Sequence, residues 1–376
     1  MKVRLGDVCT VVSGSTPKTS MDEYWDGDIK WITPAELDED SFYLYDSKRH
    51  ITKLGQEKTG LSFMPAGTVV LSSRAPIGKT AIIGCEMCCN QGFKNLICSE
   101  RVFNEYLFYF LKSQTEYLNS LGRGATFKEI SKSIVEDIEI ALPELEKQKE
   151  IAEQFSTIYN LISLRKQQLE KLDELVKARF VELFGDPIAS TNKKKLSETG
   201  RIFTGSTPSM KEPSYYESKD IPFIKPSDLK EIGVTSINGV EAYISEKARP
   251  VARIIPPDSV LVTCIGTIGK VGITTRESTC NQQINFIVPS ENINPVYLAY
   301  CLTFFKSTLL MMANAPVVPI INKTQFSELE IPVFGIDLQN HFSAFVEQTD
   351  KSKLAVQKSL DELEVLKKAL MQKYFG

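Results

Sequence analysis

The sequence predicts a mixed α/β (α+β) protein made of two copies of one unit, with two long antiparallel coiled-coil helices as spacers between the globular parts. Three observations lead to this fold class. Short motifs recur at a constant distance, the first part of each copy is rich in Gly, Pro and Thr with short β-like runs, and each copy ends in a long segment without Gly or Pro. Both copies are therefore expected to contain the same elements in the same order.

The chain contains an internal duplication. Gly14-Ser15-Thr16-Pro17 recurs 191 residues later as Gly205-Ser206-Thr207-Pro208. Further motifs recur at the same distance: Ile77-Gly78-Lys79 as Ile268-Gly269-Lys270, Cys89-Asn90-Gln91 as Cys280-Asn281-Gln282, Tyr106-Leu107 as Tyr297-Leu298, and Phe184-Gly185 as Phe375-Gly376. Self-similarity at one fixed distance indicates a repeated structural unit. It predicts two copies, residues 1–185 and 186–376, and a pseudo-twofold internal repeat.

Each copy opens with a predicted globular domain, residues 1–143 in the first and residues 186–336 in the second. Apolar, β-branched runs such as Thr68–Leu71 and Ser259–Thr263 are typical of buried strands. We therefore expect a small β-rich core at the start of each copy.

Helices follow the strands in both copies. A short apolar helix is predicted near Asn104–Lys112 and again near Pro295–Phe304. Residues 144–185 and 337–376 are predicted as a central and a C-terminal spacer helix, because their apolar residues recur at spacings of three, four or seven. The residues predicted to form the seam between these helices are Ile151, Phe155, Ile158, Ile162, Leu169, Leu172, Val176, Val346, Val356, Leu360, Leu363 and Leu370.

Two helices of this length most simply pack on each other. A helix of about 40 residues is roughly 60 Å long at 1.5 Å per residue, which exceeds the width of a small domain. The alternative is an ordinary amphipathic helix on a globular core. Because two such segments share one chain, we expect an antiparallel pair that separates the globular domains.

Composition and charge limit the class of protein. The 376 residues carry 44 Lys and Arg against 47 Asp and Glu, so DNA binding would depend on individually placed residues and not on a basic tail. Neither an apolar run of about 18 residues nor an apolar leader is found, so we expect a cytoplasmic protein without a membrane partner. The eight cysteines are expected to be reduced, and Cys85–Cys89 lacks the second ligand pair of a zinc site.

Residues suited to catalysis are not repeated. Ile77-Gly78-Lys79-Thr80 resembles the end of a phosphate-binding loop, but Ser73 stands where the first glycine is required. The two histidines, His50 and His341, have no counterparts in the other copy. A repeated unit without a repeated catalytic set predicts a binding protein that is not an enzyme and that binds no metal or cofactor itself.

The duplicated motifs offer groups that bind nucleic acid. Hydroxyls and lysines can bind phosphate, Asn and Gln can read adenine, and Arg can read guanine. Structural alternatives exist: a plain turn for Gly-Ser-Thr-Pro, the core for Trp31 and Phe223, the solvated surface for the lysines, and strand-end caps for the amides. The DNA-binding candidates are Ser15, Thr16, Lys18, Lys30, Thr33, Arg74, Lys79, Asn90, Gln91, Arg123 and Lys128 in the first copy, and Ser206, Thr207, Lys225, Ser227, Lys270, Asn281, Gln282, Asn314 and Lys323 in the second.

Positions that differ between the copies should carry specificity. Ser73-Arg74 becomes Cys264-Ile265, and Gly122–Thr126 becomes Ala313–Val317. Arg74 and Arg123 would suit guanine O6 and N7 in the sequence that the first copy reads.

The matched segments resemble the specificity (S) subunit of Type I restriction–modification systems, and the resemblance covers the whole chain. The second copy departs from the pattern where Gln339-Asn340-His341-Phe342 replaces the Gln-Lys-Glu-Ile run. The segments that carry the resemblance are Val3–Val8, Ser13–Pro17, Trp31–Pro34, Ile138–Pro143 running into Glu146–Ile151, and Leu183–Pro187.

The resemblance implies a DNA-binding function. Two target recognition domains would each read one half of a bipartite, asymmetric site in double-stranded DNA through the major groove. The helices would set the unread spacer and hold two methyltransferase (M) subunits, and in the full enzyme two restriction (R) subunits. S-adenosylmethionine, ATP and magnesium would belong to those partners, because the S subunit has no catalytic centre.

The residues alone leave two other functions open. The chain could be a structural coiled-coil adaptor with two protein-binding heads. It could also be an enzyme that uses Cys88 or Cys89 as a nucleophile, although Cys88 corresponds to Thr279 and no candidate base is duplicated. Specific binding to duplex DNA in the presence of an M subunit separates these functions from the one that the resemblance implies.

Overall fold

The computed structural model describes residues 2–123, 128–313 and 318–376. The chain divides into two compact units: unit 1 consists of Met1–Arg165 with Ser359–Gly376, and unit 2 consists of Lys166–Lys358. Each unit therefore contains one globular part together with a part of both long helices.

Unit 1 contains the predicted β-rich core. Its strands are β1 (Lys2–Arg4), β2 (Cys9–Ser13), β3 (Trp25–Ile32), β4 (Tyr43–Leu44), β5 (His50–Ile51), β6 (Val69–Ser72), β7 (Thr80–Ile83), β8 (Cys88–Cys89), β9 (Phe93–Cys98) and β10 (Glu139–Ala141). Its helices are α1 (Lys53–Thr59), α2 (Asn104–Ser113), α3 (Thr115–Leu121), α4 (Lys132–Glu136) and parts of the two long helices α5 (Leu145–Phe184) and α9 (Ile336–Phe375). The predicted strand and the predicted short helix of this copy are confirmed as β6 and α2.

A five-stranded sheet in the order β2-β9-β6-β7-β4 organises unit 1. Its neighbouring strands are antiparallel except β4 and β7, which are parallel. Successive residues of a strand face opposite sides of its sheet. Val69 and Leu71 of β6 accordingly pack in one core with Leu107 of α2, while Val70 packs in another with Ile32 of the three-stranded sheet β5-β3-β8. The sheet thus lies between a helical layer and a second, smaller sheet.

Unit 2 repeats this architecture. Its strands are β11 (Lys193–Lys195), β12 (Gly200–Thr204), β13 (Ile221–Ile224), β14 (Val234–Ile237), β15 (Tyr243–Ile244), β16 (Val260–Thr263), β17 (Val271–Thr274), β18 (Thr279–Cys280), β19 (Ile284–Pro289) and β20 (Glu330–Pro332). Its helices are α6 (Pro295–Phe304), α7 (Lys306–Met312), α8 (Lys323–Ser327) and parts of α5 and α9 (Ile336–Phe375). The sheet orders, β12-β19-β16-β17-β14 and β15-β13-β18, correspond strand by strand to those of unit 1. The predicted internal repeat is therefore confirmed.

Helices α5 and α9 are each one continuous helix of 40 residues. Within each unit the two helices run antiparallel, because residues late in one contact residues early in the other. The contacts that show this are Gln154 with Tyr374 and Tyr159 with Lys367 in unit 1, and Asp173 with Lys353 and Phe180 with Phe342 in unit 2.

Most of the predicted seam residues are buried. Phe155 packs in the core of unit 1, stacked between Tyr109 and Phe375 at ring distances of 5.3 and 5.4 Å. The apolar stripe thus joins the helices to the globular part as well as to each other. The buried seam residues are Ile151, Phe155, Ile158, Ile162, Val176, Val346, Val356 and Leu360, and the half-buried ones are Leu169, Leu172, Leu363 and Leu370.

A fully buried glutamine fixes the start of α5. Gln148 Nε2 donates to the carbonyls of Arg101 and Pro143, both at 2.9 Å, and Gln148 Oε1 accepts from the N–H of Phe103 at 2.9 Å. The Gln148 side chain thereby gives hydrogen-bond partners to three main-chain groups where α5 meets the globular part, and these groups would otherwise be unpaired.

Gln339 does the same for α9. Its Nε2 donates to the carbonyls of Asn292 (3.3 Å) and Phe334 (2.7 Å), and its Oε1 accepts from the N–H of Asn294 (2.8 Å). The sequence departure that follows Gln339 leaves this anchor unchanged, so both long helices begin in the same way.

We expect Gln148→Ala to destabilise unit 1 by about 2–4 kcal/mol, because it leaves a buried N–H and two buried carbonyls unpaired. Both tryptophans, Trp25 and Trp31, lie in unit 1, so tryptophan fluorescence during urea unfolding reports on that unit. Gln339→Ala should instead shift the unfolding of unit 2, seen by far-UV circular dichroism. The exposed Gln348 in α9 provides the control, since Gln348→Ala should change the stability by less than about 0.5 kcal/mol. If the urea midpoint of the tryptophan fluorescence transition is the same in Gln148→Ala as in the unmodified protein, the anchoring role of Gln148 is wrong.

No single helix among the described residues is long and apolar enough to cross a membrane. Helices α6 and α7 reach the required length and apolarity only together, across a bend of 65°. Residues of α6 such as Tyr297 and Leu298 lie in the core of unit 2.

Candidate nucleic-acid interface

The candidate residues of unit 1 gather mainly at one end of the five-stranded sheet. Strands β2 and β6 end there, at Ser13 and Ser72, and the antiparallel strand β9 begins there at Phe93. The loops at this end meet residues 123, 128 and 129 through the β-bridge between Arg74 and Glu129. We call residues 14–18, 73–79, 90–92, 123 and 128–129 the loop surface of unit 1. The loop surface of unit 2 consists of the equivalent described residues 205–209, 264–270, 281–283 and 319–320.

The Gly-Ser-Thr-Pro motif packs directly on the Cys-Asn-Gln motif in unit 1. The N–H of Ser15 donates to the Cys89 carbonyl at 3.0 Å, and Asn90 Nδ2 donates to Thr16 Oγ1 at 2.8 Å. A Cβ atom on Gly14 would lie 2.0 Å from the Asn90 carbonyl oxygen, so only glycine fits there. The neighbouring Gln91 is half-buried, and its Oε1 has no hydrogen-bond partner among the described residues.

Unit 2 repeats this packing. The N–H of Ser206 donates to the Cys280 carbonyl at 2.9 Å, and Thr207 Oγ1 donates to Gln282 Oε1 at 2.7 Å. Asn281 binds the residue two positions later through its side chain. The motifs are therefore duplicated at least in part because they hold each other, and the hydroxyls and amides that were candidates for DNA contact serve this packing first.

The lysines of the duplicated Ile-Gly-Lys motif are bound internally. Lys79 Nζ donates to the Leu37 carbonyl at 2.5 Å, and Lys270 Nζ lies 3.3 Å from a carboxylate oxygen of Glu231. The preceding glycines have left-handed backbone conformations, with φ of 98° at Gly78 and 84° at Gly269. The motif forms a tight turn, and its lysines would have to leave these partners to reach DNA.

Lys30 lies away from the loop surface. Its Nζ donates to the Tyr45 carbonyl at 2.6 Å and lies 3.4 Å from Cys85 Sγ. Tyr45 follows β4 and Cys85 follows β7, and these parallel strands end on the side of the five-stranded sheet that is away from the loop surface. The ammonium group of Lys30 therefore lies at that other end of the sheet. Thr33 is nearer, but its hydroxyl and its N–H bind Glu36 in a helix-capping arrangement. The candidates of the equivalent turn in unit 2, Lys225 and Ser227, are both exposed.

An ionic cluster forms part of the loop surface of unit 1. Arg74 Nε donates to Glu129 Oε2 at 3.0 Å, and Lys94 Nζ lies 3.3 Å from Glu129 Oε1. Partial burial of Glu129 opposes its ionisation, but hydrogen bonds from Arg74 and Lys94 outweigh this and lower the pKa of Glu129. The ionised carboxylate thus holds the exposed guanidinium in place. Arg123 contacts Glu129 through its main chain, because its N–H donates to the Glu129 carbonyl at 3.0 Å.

Exposed cations also border the loop surface of unit 1. The guanidinium of Arg49 lies 3.7 Å from the ring centre of Trp25, whose Nε1 donates to the Lys18 carbonyl. Trp31 is buried beside them and donates to the Ser15 carbonyl at 3.0 Å. Arg49 and Lys18 are both exposed. The two tryptophans therefore belong to the core, and the positive charges above them face solvent.

Unit 2 presents different side chains at the equivalent places. Ile265 forms the β-bridge with Ile320 that corresponds to Arg74 with Glu129. Phe203 lies near two cations, Lys323 Nζ at 5.8 Å and the Arg253 guanidinium at 6.0 Å from its ring centre. Phe223 is buried. The candidate Asn314 lies outside the described residues, together with residues 124–126 and 315–317 of the two variable stretches.

Four charged residues of these surfaces are missed by the sequence argument: Arg49, Lys94, Glu129 and Arg253. Aligning the two copies at the 191-residue offset would have indicated two of them, because Lys94 aligns with Asn285 and Glu129 aligns with Ile320. Arg49 and Arg253 have no comparable signal, since their roles depend on which aromatic rings the fold brings beneath them.

The buried cysteines are poor nucleophiles. Burial, with a smaller contribution from the charge of Glu86, raises the pKa of Cys88 to about 11, and burial also raises the pKa values of Cys89 and Cys280. Their thiols are therefore neutral near pH 7, which argues against the cysteine-nucleophile alternative. Among residues 2–123, 128–313 and 318–376, no group of three or more His, Cys, Asp or Glu side chains could hold a metal ion.

Comparison with known proteins gives one consistent result. Residues 1–174 and 190–365 match the family model described as the Type I restriction modification DNA specificity domain. The chain is 34% identical over 247 residues to the Type I restriction enzyme MjaIX specificity subunit of Methanocaldococcus jannaschii, an alignment that covers 60% of this chain and 57% of that protein. It is 26% identical over 397 residues to the MjaVIII specificity subunit of the same organism, covering 98% of this chain and 90% of that protein.

Solved structures show the same fold. The crystal structure of a Type I restriction–modification S subunit from M. genitalium matches all of this chain and 96% of its own, with a TM-score of 0.62 at 14% identity. A chain from a structure concerning the complex assembly and conformational transition of the type I R-M system matches with the same TM-score at 18% identity, covering 100% of this chain and 97% of that one.

Proposed function

Because the chain belongs to the Type I restriction modification DNA specificity family, we propose that it is the subunit that selects the DNA sequence in a Type I restriction–modification complex. The observation that carries this proposal is the loop surface, which occurs twice on one repeated architecture with different side chains. Each unit would read one half of a bipartite, asymmetric site in double-stranded DNA. The adaptor with protein-binding heads is not favoured, since the family assigns a DNA specificity function.

A chain of net charge −3 can bind DNA because only the contacting surface has to be positive. The loop surface of unit 1 carries the exposed cations Lys18, Arg74, Arg123 and Lys128 and one carboxylate, Glu129, and the exposed Arg49 lies beside it. Phosphate contacts from such residues would position the duplex, and base contacts would specify the sequence.

We expect Lys18→Ala with Arg49→Ala to weaken DNA binding by the assembled complex about tenfold without changing the sequence it prefers, because these groups would neutralise phosphates. The slope of log affinity against log salt should become shallower by about 0.9 for each phosphate that the variant no longer neutralises. Fluorescence anisotropy across a salt series measures both quantities. Arg4→Ala provides the matched control, because Arg4 is exposed and paired with Asp7 near the start of β2, far from the loop surface. Affinity and slope that both equal those of the unmodified complex would count against the proposed function.

The long helices are the proposed docking sites for M subunits. Large apolar side chains remain exposed on them in both units: Leu161, Leu164, Val365 and Leu366 in unit 1, and Leu175 and Leu354 in unit 2. A contiguous exposed apolar patch marks an interaction surface, and in unit 1 Leu161 of α5 and Leu366 of α9 line one groove. In this assignment the S-adenosylmethionine, ATP and magnesium of the complex belong to the M and R subunits, and this chain contributes no catalytic group.

One chain is expected to bind two M subunits, because the repeat offers two similar docking surfaces. Native mass spectrometry of the chain titrated with its M subunit measures the stoichiometry, with Leu354→Glu expected to lower occupancy of one position only. Saturation at one M subunit for each chain would rule out equivalent docking surfaces.

A further inference from the structure

The two loop surfaces differ most clearly at one structurally equivalent position. In unit 1 the loop after β6 forms a β-bridge between Arg74 and Glu129, and in unit 2 the loop after β16 forms the same bridge between Ile265 and Ile320. The hydrogen bonds beside the bridge also correspond: the N–H of Ile130 donates to the Ser73 carbonyl, as the N–H of Ile321 donates to the Cys264 carbonyl, both at 2.9 Å. The backbone is thus conserved while the side chains change from charged to apolar.

The strand next to the bridge, β9 in unit 1 and β19 in unit 2, also changes from a charged to an uncharged residue. Lys94 pairs in register with Leu71 of β6, and Asn285 pairs with Val262 of β16, so the two residues occupy equivalent positions. The side chain of Lys94 is 7% exposed and its Nζ contacts Glu129 and Ser73. In unit 2 no carboxylate has to be neutralised at this position, and buried Asn285 accepts a hydrogen bond from Thr204 instead. Lys94 is therefore the buried counter-charge that allows Glu129 to sit under Arg74.

The geometry of Arg74 suits one kind of base. Its Nε is used by Glu129, which leaves the two terminal nitrogens of the guanidinium as a pair of parallel donors on a side chain that is 47% exposed. Such a pair matches O6 and N7 of guanine in the major groove. Because Glu129 fixes the side chain before binding, forming the base contact costs less conformational entropy.

The equivalent position of unit 2 suits a different base pair. Residues paired in an antiparallel bridge place their side chains on the same face, about 5 Å apart. Ile265 is half-buried, and Ile320 is 38% exposed. This apolar surface has no hydrogen-bonding group to offer, and the thymine C5-methyl is the one apolar group that a base presents in the major groove.

We propose that this position is a specificity determinant in both units: Arg74, held by Glu129 and Lys94, selects a G·C pair in the half-site of unit 1, and Ile265 with Ile320 selects an A·T pair through the thymine methyl in the half-site of unit 2. The inference rests on the proposed function and goes beyond it, because it assigns a base class to named residues.

Base analogues in a synthetic target test the inference with the assembled complex. Once the target is known from methylation mapping, each guanine of the unit 1 half-site, on either strand, is replaced in turn by 7-deazaguanine, which lacks the N7 acceptor. At one position the unmodified complex should lose about tenfold in affinity. Arg74→Ala should bind the unmodified target about tenfold more weakly and should then be indifferent to 7-deazaguanine at that position. Arg4→Ala, which removes an exposed arginine elsewhere, should behave like the unmodified protein.

Thymine is tested in the same way in the other half-site. Replacing thymine by uracil removes only the methyl group and should weaken binding about fourfold at one position, the effect of exposing one methyl-sized apolar group. Ile320→Ala should abolish this difference.

The outcomes separate the two levels of the proposal. A complex that binds and methylates no specific sequence would overturn the proposed function. Specific binding in which Arg74→Ala responds to every guanine analogue as the unmodified complex does would overturn only the assignment of Arg74. Equal sensitivity of Ile320→Ala and the unmodified complex to uracil would overturn the assignment in unit 2.

Discussion

Exchanging residues 186–336 for the corresponding segment of a related S subunit is expected to replace one half of the DNA target and to leave the other half unchanged. The described loop surface of unit 2 lies entirely within this segment, and that of unit 1 lies entirely outside it. Each mismatched base pair costs about 1–3 kcal/mol, so even two changed pairs lower specific binding to the old site by roughly 2–6 kcal/mol. Methylation at the old sites should therefore fall by at least about thirtyfold, while a new set of sites that share the first half appears.

The donor segment has to meet the aromatic residues that α5 contributes to unit 2. Phe180 and Phe184 pack against Tyr297 of α6 at ring distances of 5.6 and 4.8 Å, and Phe342 of α9 closes the same cluster. A donor with an aromatic residue in place of Tyr297 keeps this core filled, whereas a small residue there would leave a cavity that costs about 3–5 kcal/mol. Native-like thermal unfolding of the chimaera is therefore the first measurement to make.

Methylation mapping of DNA from cells that express the chimaera with its M subunit then reads out the target. The reciprocal exchange of residues 1–143 provides the control, because it should change the other half-site. Loss of both half-sites from a well-folded chimaera would mean that the units do not read DNA independently.

The repeat and the long helices could be predicted because their signals are local and periodic. The motifs of each copy recur at one distance, and the long segments have helical spacing over 40 residues without Gly or Pro. Propensity and pattern then agree at every level, and such agreement is the condition under which sequence predicts structure well. The division of each globular part into a five-stranded and a three-stranded sheet was beyond reach, because strands as short as β8 carry too little pattern.

The site residues were harder to predict because their roles depend on contacts far apart in sequence. Thr16 and Asn90 look like free polar groups in the sequence, yet they bind each other across 74 positions. Lys30 has the composition of a DNA contact, but β3 carries it to the opposite end of the sheet, where its ammonium group donates to the carbonyl of Tyr45. A short sequence motif shows which polar groups are present, but it does not show which of them already have hydrogen-bond partners in the folded protein.

Comparison of the copies recovers part of what a single motif hides. The change from Arg74 to Ile265 can be located in the sequence, because matched segments on both sides of this stretch align the two copies. That Lys94 and Glu129 take part in the same change emerges only from strand register and from the bridge, which bring these residues together from separate segments. The specificity determinant proposed for unit 1 is a tertiary cluster, and sequence comparison finds its members only one at a time.

Inserting four residues at matched positions in α5 and α9 is expected to lengthen the tolerated DNA spacer by one or two base pairs while both half-sites stay the same. Each helix continues without a break from one unit into the other, so added residues lengthen the connection by about 1.5 Å each, or roughly 6 Å. Base pairs advance about 3.4 Å. Four residues also rotate the helix by about 40° beyond a full turn, close to the ~34–36° of one base pair. Distance and phase both favour a small integer change.

The positions of the insertions follow from the antiparallel register. Tyr159 lies beside Lys367, and Asp173 pairs with Lys353, so the residue numbers of facing positions add up to about 526 in both units. An insertion after Lys171 would face the region near Ala355, so the seam stays in register there only if the matching insertion is placed near Ala355. If the same register is continued to the ends of the two units, the matched insertions belong after Lys166 and after Ser359, outside the core of each unit.

Methylation mapping with the double-insertion variant decides whether the helices act as the ruler. The single insertions are the controls, since each shifts one helix against the other and should destabilise the protein instead of changing the spacer. Genomic sites with the original spacing should lose methylation, and sites with the same two half-sites one or two base pairs further apart should gain it. A stable double-insertion variant that methylates only the original spacing would show that the distance is set elsewhere, because a rigid helical connection cannot grow by a full turn without moving the DNA contacts that it joins.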